Sequence, residues 1–331
     1  MTTNKLLLRG GLVFNSARRQ LEERNLRVEA GLVTSLASQA EGEEKEEEGW
    51  EVVDCRGLLV LPGLIDLHVH VYHAATVLGV EPDSACLARG VTTVMDGGSA
   101  GAMTFAGLRR FVMEPSRTRV LAWLHLACHG LAGAACSGEE FGPGGEVDSV
   151  NVVKTELCVK TIRANRERIV GVKARLDRNI SNNGENESFV LRQAVVAARE
   201  AAVPLMVHHT NSSLSLEEVL ESLSPGDVYT HSLSQMAGEG RGILDQERRT
   251  VRPCVLQARA RGVIFDVGHG QGSFSWEIAE VCARAGFYPD TVSTDLHSGN
   301  VDGLARDLPW VMSKFLHLGG VSPSPRTTSQ Q

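Results

Sequence analysis

From residue 58 onward the chain alternates short apolar runs with longer stretches of helical periodicity, and this alternation restricts its fold more than any other feature. Eight strand candidates stand out: 58–70 (broken at Pro62-Gly63), 91–96, 120–125, 169–176, 203–208, 227–231, 263–267 and 291–297. Helical segments follow most of them, the clearest being 187–202, 246–261, 275–286 and 304–318. In the first of these, Val190, Leu191, Ala194, Val195 and Ala198 share one face of a helix. Strands that alternate with helices pair in parallel through right-handed crossovers. Eight such units over about 260 residues predict an α/β fold of the (β/α)8 TIM-barrel type. The rival is a doubly wound open sheet, which places a phosphate-binding Gly-x-Gly-x-x-Gly after its first strand. Here the glycine run Gly268-His269-Gly270-Gln271-Gly272 follows the seventh.

Three segments are expected. Residues 1–57 read as β structure, with strands at 5–14, 26–37 and 51–60. Between the last two lies an acidic stretch, 41–48, whose six glutamates repel one another and predict a solvated loop. Residues 58–318 form the barrel. The Ser- and Pro-rich tail, 319–331, is expected to be disordered.

Composition narrows the partners. Hydrophobic residues make up 42% and charged residues 22%, enough for a large core. With 33 basic and 40 acidic side chains the net charge is -7. That balance argues against nucleic acid and against polybasic attachment to a membrane. The apolar start, Leu6-Leu7-Leu8, is too short for a signal peptide, and no run approaches a membrane span. The seven cysteines are scattered without a Cys-x-x-Cys, so buried free thiols in a reducing, cytoplasmic setting are expected. Self-association into a homo-oligomer is left open.

In a barrel, chemistry gathers at the C-terminal ends of the strands. The first strand ends in Asp66-Leu67-His68-Val69-His70. Side chains alternate along a strand, so His68 and His70 face the same way and can share one metal ion. By itself a His-x-His arises often by chance. Four other strand ends add Lys173, His208, His231 and Asp295. Singly, these have plain readings: a capping histidine, a salt-bridged lysine, a helix-capping aspartate. Six at one rim point instead to a metal centre. An ammonium is no ligand, but burial beside cations lowers a lysine's pKa and frees its amine. A free amine adds carbon dioxide to give a carbamate, which is anionic, bidentate and able to bridge two ions. Arg175 lies two residues beyond Lys173 on the same strand face. It suits either a substrate carboxylate or a structural pairing with a carboxylate such as Asp96. His269, in the glycine-rich loop, is placed to donate to substrate. His209 should point away from His208 toward a helix. His125, His129 and His297 lie near the rim without assigned roles.

These stretches resemble the amidohydrolase superfamily of metal-dependent hydrolases, and within it the dihydroorotase-like amidohydrolase/deacetylase branch. The matching segments are 62–70, 171–175, 204–208, 230–231, 265–274 and 293–297, and the resemblance extends from about residue 5 to about 318. It implies two divalent metal ions, with zinc suited to imidazole and carboxylate ligands. His68 and His70 would hold the more buried ion, carbamylated Lys173 would bridge to the second, and His208 and His231 would complete the second. Asp295 would bind the first ion, take the proton of the attacking hydroxide and pass it to the leaving group. The implied reaction is hydrolysis of an amide, cyclic amide or ester bond, of the deacetylase type, in a small acylated molecule. Family members continue past the last barrel helix with strands that join the N-terminal segment in a small β-sandwich. This chain leaves that pattern after Gly319, so the appendage is expected to be incomplete, with an unpaired edge. Residues 232–236 also depart from the pattern. Two alternatives remain: a phosphoesterase on the same scaffold, or a truncated, inactive barrel serving as an interaction protein.

Overall fold

A computed structural model of the chain describes residues 5–38, 49–131, 144–236, 242–245 and 247–319. The acidic stretch 41–48, Cys136 and all of the tail but Gly319 lie outside these residues. The chain divides into two units between Gly63 and Leu64.

The first unit is built on β1 (Lys5–Asn15). It pairs antiparallel with β2 (Gln20–Glu29), and β2 pairs antiparallel with β3 (Leu32–Ser38). On its other side β1 pairs in parallel with β4 (Glu51–Asp54) and β5 (Leu59–Val60). The single strand expected over 26–37 is in fact the two arms of a hairpin. Ala30 (φ 50°) and Gly31 (φ 79°) turn the chain between the paired Glu29 and Leu32. Two consecutive positive φ values are the mark of a type I′ turn, and Gly31 adopts its value without a Cβ penalty. The 51–60 segment is likewise divided, by a turn closed from Leu58 N–H to the Cys55 carbonyl (2.9 Å). Among the described residues this unit is one five-stranded sheet, and the second layer that a sandwich requires is not among them.

The second unit carries a parallel sheet whose neighbours follow chain order: β6 (Leu64–Val69), β7 (Val91–Asp96), β8 (Arg119–His125), β9 (Ile169–Leu176), β10 (Leu205–His209) and β11 (Val228–Thr230). A small hairpin, β12 (Leu244–Asp245) with β13 (Thr250–Val251), precedes the seventh strand, β14 (Ile264–Phe265). The eighth expected strand, 291–297, is not a strand. It touches both ends of the sheet through isolated bridges, Thr291 to Asp266 and Leu296 to Val69. Asp295 N–H donates to the His68 carbonyl (2.7 Å) and His70 N–H to the Leu296 carbonyl (2.8 Å). One short segment thus reaches the margins of both β6 and β14, and the seven-stranded sheet is curled. Within this segment Asp295 is left-handed, with φ 48°.

Helices pack on the outside. In Glu187–Ala201, Val190, Leu191, Ala194, Ala197, Ala198 and Ala201 are buried. A buried valine or leucine contributes about 1.5–3 kcal/mol relative to exposure. The helix expected over 246–261 begins only at Pro253, which sits where a missing N–H does no harm, and ends at Ala260. Inside the curl, Trp123, Met206 and Val228 form a small apolar cluster, and Trp123 Nε1–H donates to the Leu67 carbonyl (3.0 Å). Among the described residues no helix is long and apolar enough to cross a membrane.

Candidate metal centre and active site

The strands and the 291–297 segment bring the six predicted rim residues to one cavity of about 360 Å³. His68, His70, Lys173, His208, His231 and Asp295 all line it. Asp295 Oδ1 lies 3.2 Å from His70 Nε2 and 3.5 Å from His68 Nε2. One ligand atom from each of these three residues falls within 4.8 Å of the others, a spacing that suits a metal ion. Lys173 Nζ is 2.9 Å from His68 Nε2 and 3.4 Å from Met206 Sδ. The ring centroid of His231 is 4.5 Å from that of His208 and 5.2 Å from that of His68.

The hydrogen bonds behind the rings decide which nitrogen faces the cavity bare. Thr230 Oγ1–H donates to Asp266 Oδ2 (2.7 Å), so its remaining capacity toward His68 Nδ1 (3.1 Å) is as an acceptor. The proton of His68 therefore sits on Nδ1, and Nε2 presents a lone pair. His231 Nδ1–H donates to the Gly268 carbonyl (2.6 Å), with the same result. His70 Nδ1 pairs with Ser99 Oγ (2.9 Å). His208 differs: its Nε2 pairs with Thr210 Oγ1 (2.6 Å), which leaves Nδ1 for the centre. Such outer partners fix ring orientation and raise ligand basicity.

The electrostatics favour the same outcome. Burial, then the Lys173 charge, holds His68 well below the usual imidazole range. Burial, then His231, does the same to His208, and burial brings His231 down to about 4. All three are neutral imidazoles at pH 7. Lys173 is buried, and desolvation lowers it to about 7 despite the opposing pull of Asp295. For Asp295 burial alone would raise the carboxyl, but His68, His70 and His231 outweigh it and hold it well below the usual range. Lone-pair imidazoles, a free amine and a carboxylate form a donor set that fits divalent ions. Two of these residues, His231 (φ 59°) and Asp295 (φ 48°), are left-handed without being glycine. Strain of that kind is held in place by surrounding structure and concentrates at functional sites.

The second-rank expectations fare differently. Arg175 lines the cavity, but its Nη1 pairs with the buried Glu146 (2.8 Å) rather than with Asp96. Glu146 also faces His125 Nε2 at 3.7 Å, and Ala127 N–H donates to His125 Nδ1. Asp96 instead accepts from the backbone of Val71, Gly98 and Ser99 and shapes the turn that carries Ser99. His269 is not among the cavity-lining residues. Its Nδ1 is bound to the Gly270 carbonyl, its Nε2 meets Lys314 Nζ, and its ring stacks on Phe274, so neither nitrogen is directed at a substrate. His209 turns away from the cavity, to Tyr229 Oη (3.0 Å) and the Leu214 carbonyl (3.2 Å). His297 lines the cavity, as do Thr210, Gln271 and Ser273. Asp66 went unremarked in the sequence. It accepts from Thr294 N–H (3.1 Å) and Thr294 Oγ1–H (2.6 Å), and so sets the segment that presents Asp295.

No family model matches the chain. Over 266 residues it is 35% identical to a deacetylase of Brucella anthropi, an alignment covering 80% of this chain and 63% of that protein. Over 267 residues it is 31% identical to a deacetylase of Enterococcus faecalis, covering 80% of this chain and 68% of the relative. A crystal structure of a dihydroorotase superposes with a TM-score of 0.81 at 29% identity, covering 97% of this chain and 80% of that one. Buried histidines, a lysine and a carboxylate that meet at one end of a curled parallel sheet fit a metal-dependent hydrolase centre, and these relatives narrow the assignment. The chain belongs to the dihydroorotase-like amidohydrolase/deacetylase family. It spans less than two thirds of the Brucella relative's length.

Proposed function

We propose that this chain is a metal-dependent hydrolase, active in the cytoplasm, that cleaves an amide, cyclic amide or ester bond of a small acylated molecule. The observation that carries the reading is the meeting of His68, His70 and Asp295 in one cluster, with the buried Lys173 Nζ 2.9 Å from His68 Nε2. In this reading the 291–296 segment closes the curled sheet as the eighth stave of a (β/α)8 barrel. The N-terminal sheet is one layer of a small sandwich.

His68, His70 and Asp295 would hold one divalent ion, Zn2+ by the chemistry of its donors, and His208 and His231 a second, with Lys173 as its carbamate between them. Bound ions of this kind lower the pKa of water toward neutrality and polarise a carbonyl. The protein's own groups do the rest. Asp295, whose carboxyl is held well below the usual range, accepts the proton of the attacking water and returns it to the leaving nitrogen or oxygen. Arg175 on the cavity wall supplies a guanidinium for a substrate carboxylate, steadied by Glu146. Thr230 and Ser99 keep His68 and His70 in register.

The test is metal analysis with a hydrolysis panel of N-acyl amino acids, O-acetyl hydroxy acids and cyclic ureides. The expected result is about two ions per chain and turnover that chelation abolishes. Folded protein that takes up no ion and hydrolyses none of the panel would overturn the reading.

A further inference from the structure

The glycine-rich loop after β14 touches the centre at several points. The Gly268 carbonyl orients His231. A Cβ on Gly270 would stand 2.8 Å from Asp295 Oδ2, so the loop backbone lies directly against that carboxylate. Gln271, Gly272 and Ser273 line the cavity. What holds this loop comes from a helix later in the chain. Lys314 lies in the helix Leu308–His317 and reaches back to His269 Nε2 at 2.6 Å and to the Leu304 carbonyl at 3.1 Å. Its ammonium stands 5.2 Å from the centre of the Phe274 ring. His269 in turn stacks on Phe274, with centroids 4.8 Å apart and planes 13° from parallel.

The chemistry of the contact is determined by its partners. Nδ1 of His269 faces the Gly270 carbonyl (2.8 Å), which only accepts, so Nδ1 bears the ring proton. Nε2 is then a lone pair, and the Lys314 ammonium is its donor. Ammonium, imidazole and phenyl form a sandwich behind the loop that combines a charge-assisted hydrogen bond with cation–π attraction.

We infer that Lys314 is a positioning residue: through His269 it latches the 268–274 loop over the metal-binding cavity and sets the placement of Gln271 and Ser273 against the substrate. The latch ties a helix at the far end of the unit to the cavity wall without touching a metal ligand. The kinetic part of this inference rests on the hydrolytic reading above; the structural part does not.

The experiment uses the full chain and Lys314→Met, which keeps the aliphatic stem and removes the ammonium. Imidazole nitrogen NMR, with His269→Gln to assign the signal, should show Nδ1 protonated and Nε2 bare in the unsubstituted protein. The Nε2 resonance should shift in Lys314→Met. Amide exchange at residues 270–273 should speed up by about fivefold or more, with metal content unchanged. With N-acetylalanine as probe, KM should rise about tenfold while kcat stays within about threefold, as displacement of a positioning loop predicts. A protonated Nε2 in the unsubstituted protein would overturn the latch, and so would unchanged exchange and KM in the variant. Joint loss of metal, melting temperature and kcat would reduce Lys314 to a structural residue and also overturn it. If the unsubstituted protein does not hydrolyse N-acetylalanine, the hydrolytic reading fails for that probe and the exchange rates alone decide: faster supports the latch, unchanged overturns it.

Discussion

Replacing Gly98 by alanine tests the packing beneath Lys173. Gly98 has φ 95°, and a Cβ there would stand 2.7 Å from Lys173 Cγ, 2.9 Å from Lys173 Cβ and 3.3 Å from His125 Cδ2. The left-handed backbone alone costs an alanine about 1–2 kcal/mol. Contacts under 3 Å to the buried Lys173 stem, with the His125 ring at 3.3 Å, add an overpacking cost of about 1–3 kcal/mol. The expected destabilisation is therefore about 2–5 kcal/mol. Gly90 provides the control, since its φ is 83° and nothing lies within 4 Å of its Cβ position. Gly90→Ala should cost only the backbone share, about 1–2 kcal/mol. The relaxation open to Gly98→Ala is displacement of the Lys173 stem, which moves Nζ from its 2.9 Å approach to His68. Metal content after loading should therefore fall in Gly98→Ala and stay intact in Gly90→Ala. Urea unfolding followed by tryptophan fluorescence, with metal analysis of the same samples, measures both. Equal destabilisation of the two variants with full metal content in each would refute the claim that Gly98 exists to make room for Lys173.

Three more expectations follow from the site. Lys173→Ala should lose metal and activity together and regain part of both with a millimolar short-chain carboxylic acid, whereas Lys173→Arg should not respond, because guanidinium remains charged; full activity of Lys173→Ala without added acid counts against the bridge. Thr230→Val removes the hydroxyl joining His68 to Asp266 and should weaken metal affinity about 10–100-fold, read by competition with a chromogenic chelator. Carbamate formation consumes the neutral amine, and Lys173 is lowered to about 7, so bicarbonate-assisted metal uptake by stripped protein should rise from pH 6 to pH 8; a flat profile would count against it.

That His68, His70, Lys173, His208, His231 and Asp295 meet at one cavity was legible because their placement obeys local rules. Strand alternation places His68 and His70 together, His208 and His231 stand at or next to the ends of short apolar runs, and Lys173 lies within the fourth. Their supports were not legible, because Ser99, Thr230 and Asp266 are ordinary residues whose meaning appears only when neighbouring strands meet. His269 carried a misleading signal: a histidine in a glycine-rich loop suggests a substrate contact, and nothing local announces that Lys314, 45 residues later, occupies it. The 291–297 segment has the composition of a strand, but it pairs with the sheet only through isolated bridges at Thr291 and Leu296, and Asp295 within it is left-handed. Pro253 and the Ala30-Gly31 turn shortened a helix and divided a strand through backbone chemistry that the apolar pattern alone does not weigh.

The bond from Thr294 to Asp66 spans 228 residues. Nearly the same interval separates His68 and His70 from Asp295 during synthesis. At about 5–20 residues per second, His68 and His70 emerge from the ribosome about 10–45 s before Asp295. For that time a nascent chain offers an ion two imidazoles and no anion, a poor competitor against cellular chelators. The full ligand set appears only when the last segment of the unit docks on the first, a long-range closure of the slow kind. In the proposed centre, metal acquisition would thereby come late, and a chain that stalls before residue 295 would hold the histidines without the carboxylate meant to complete the site.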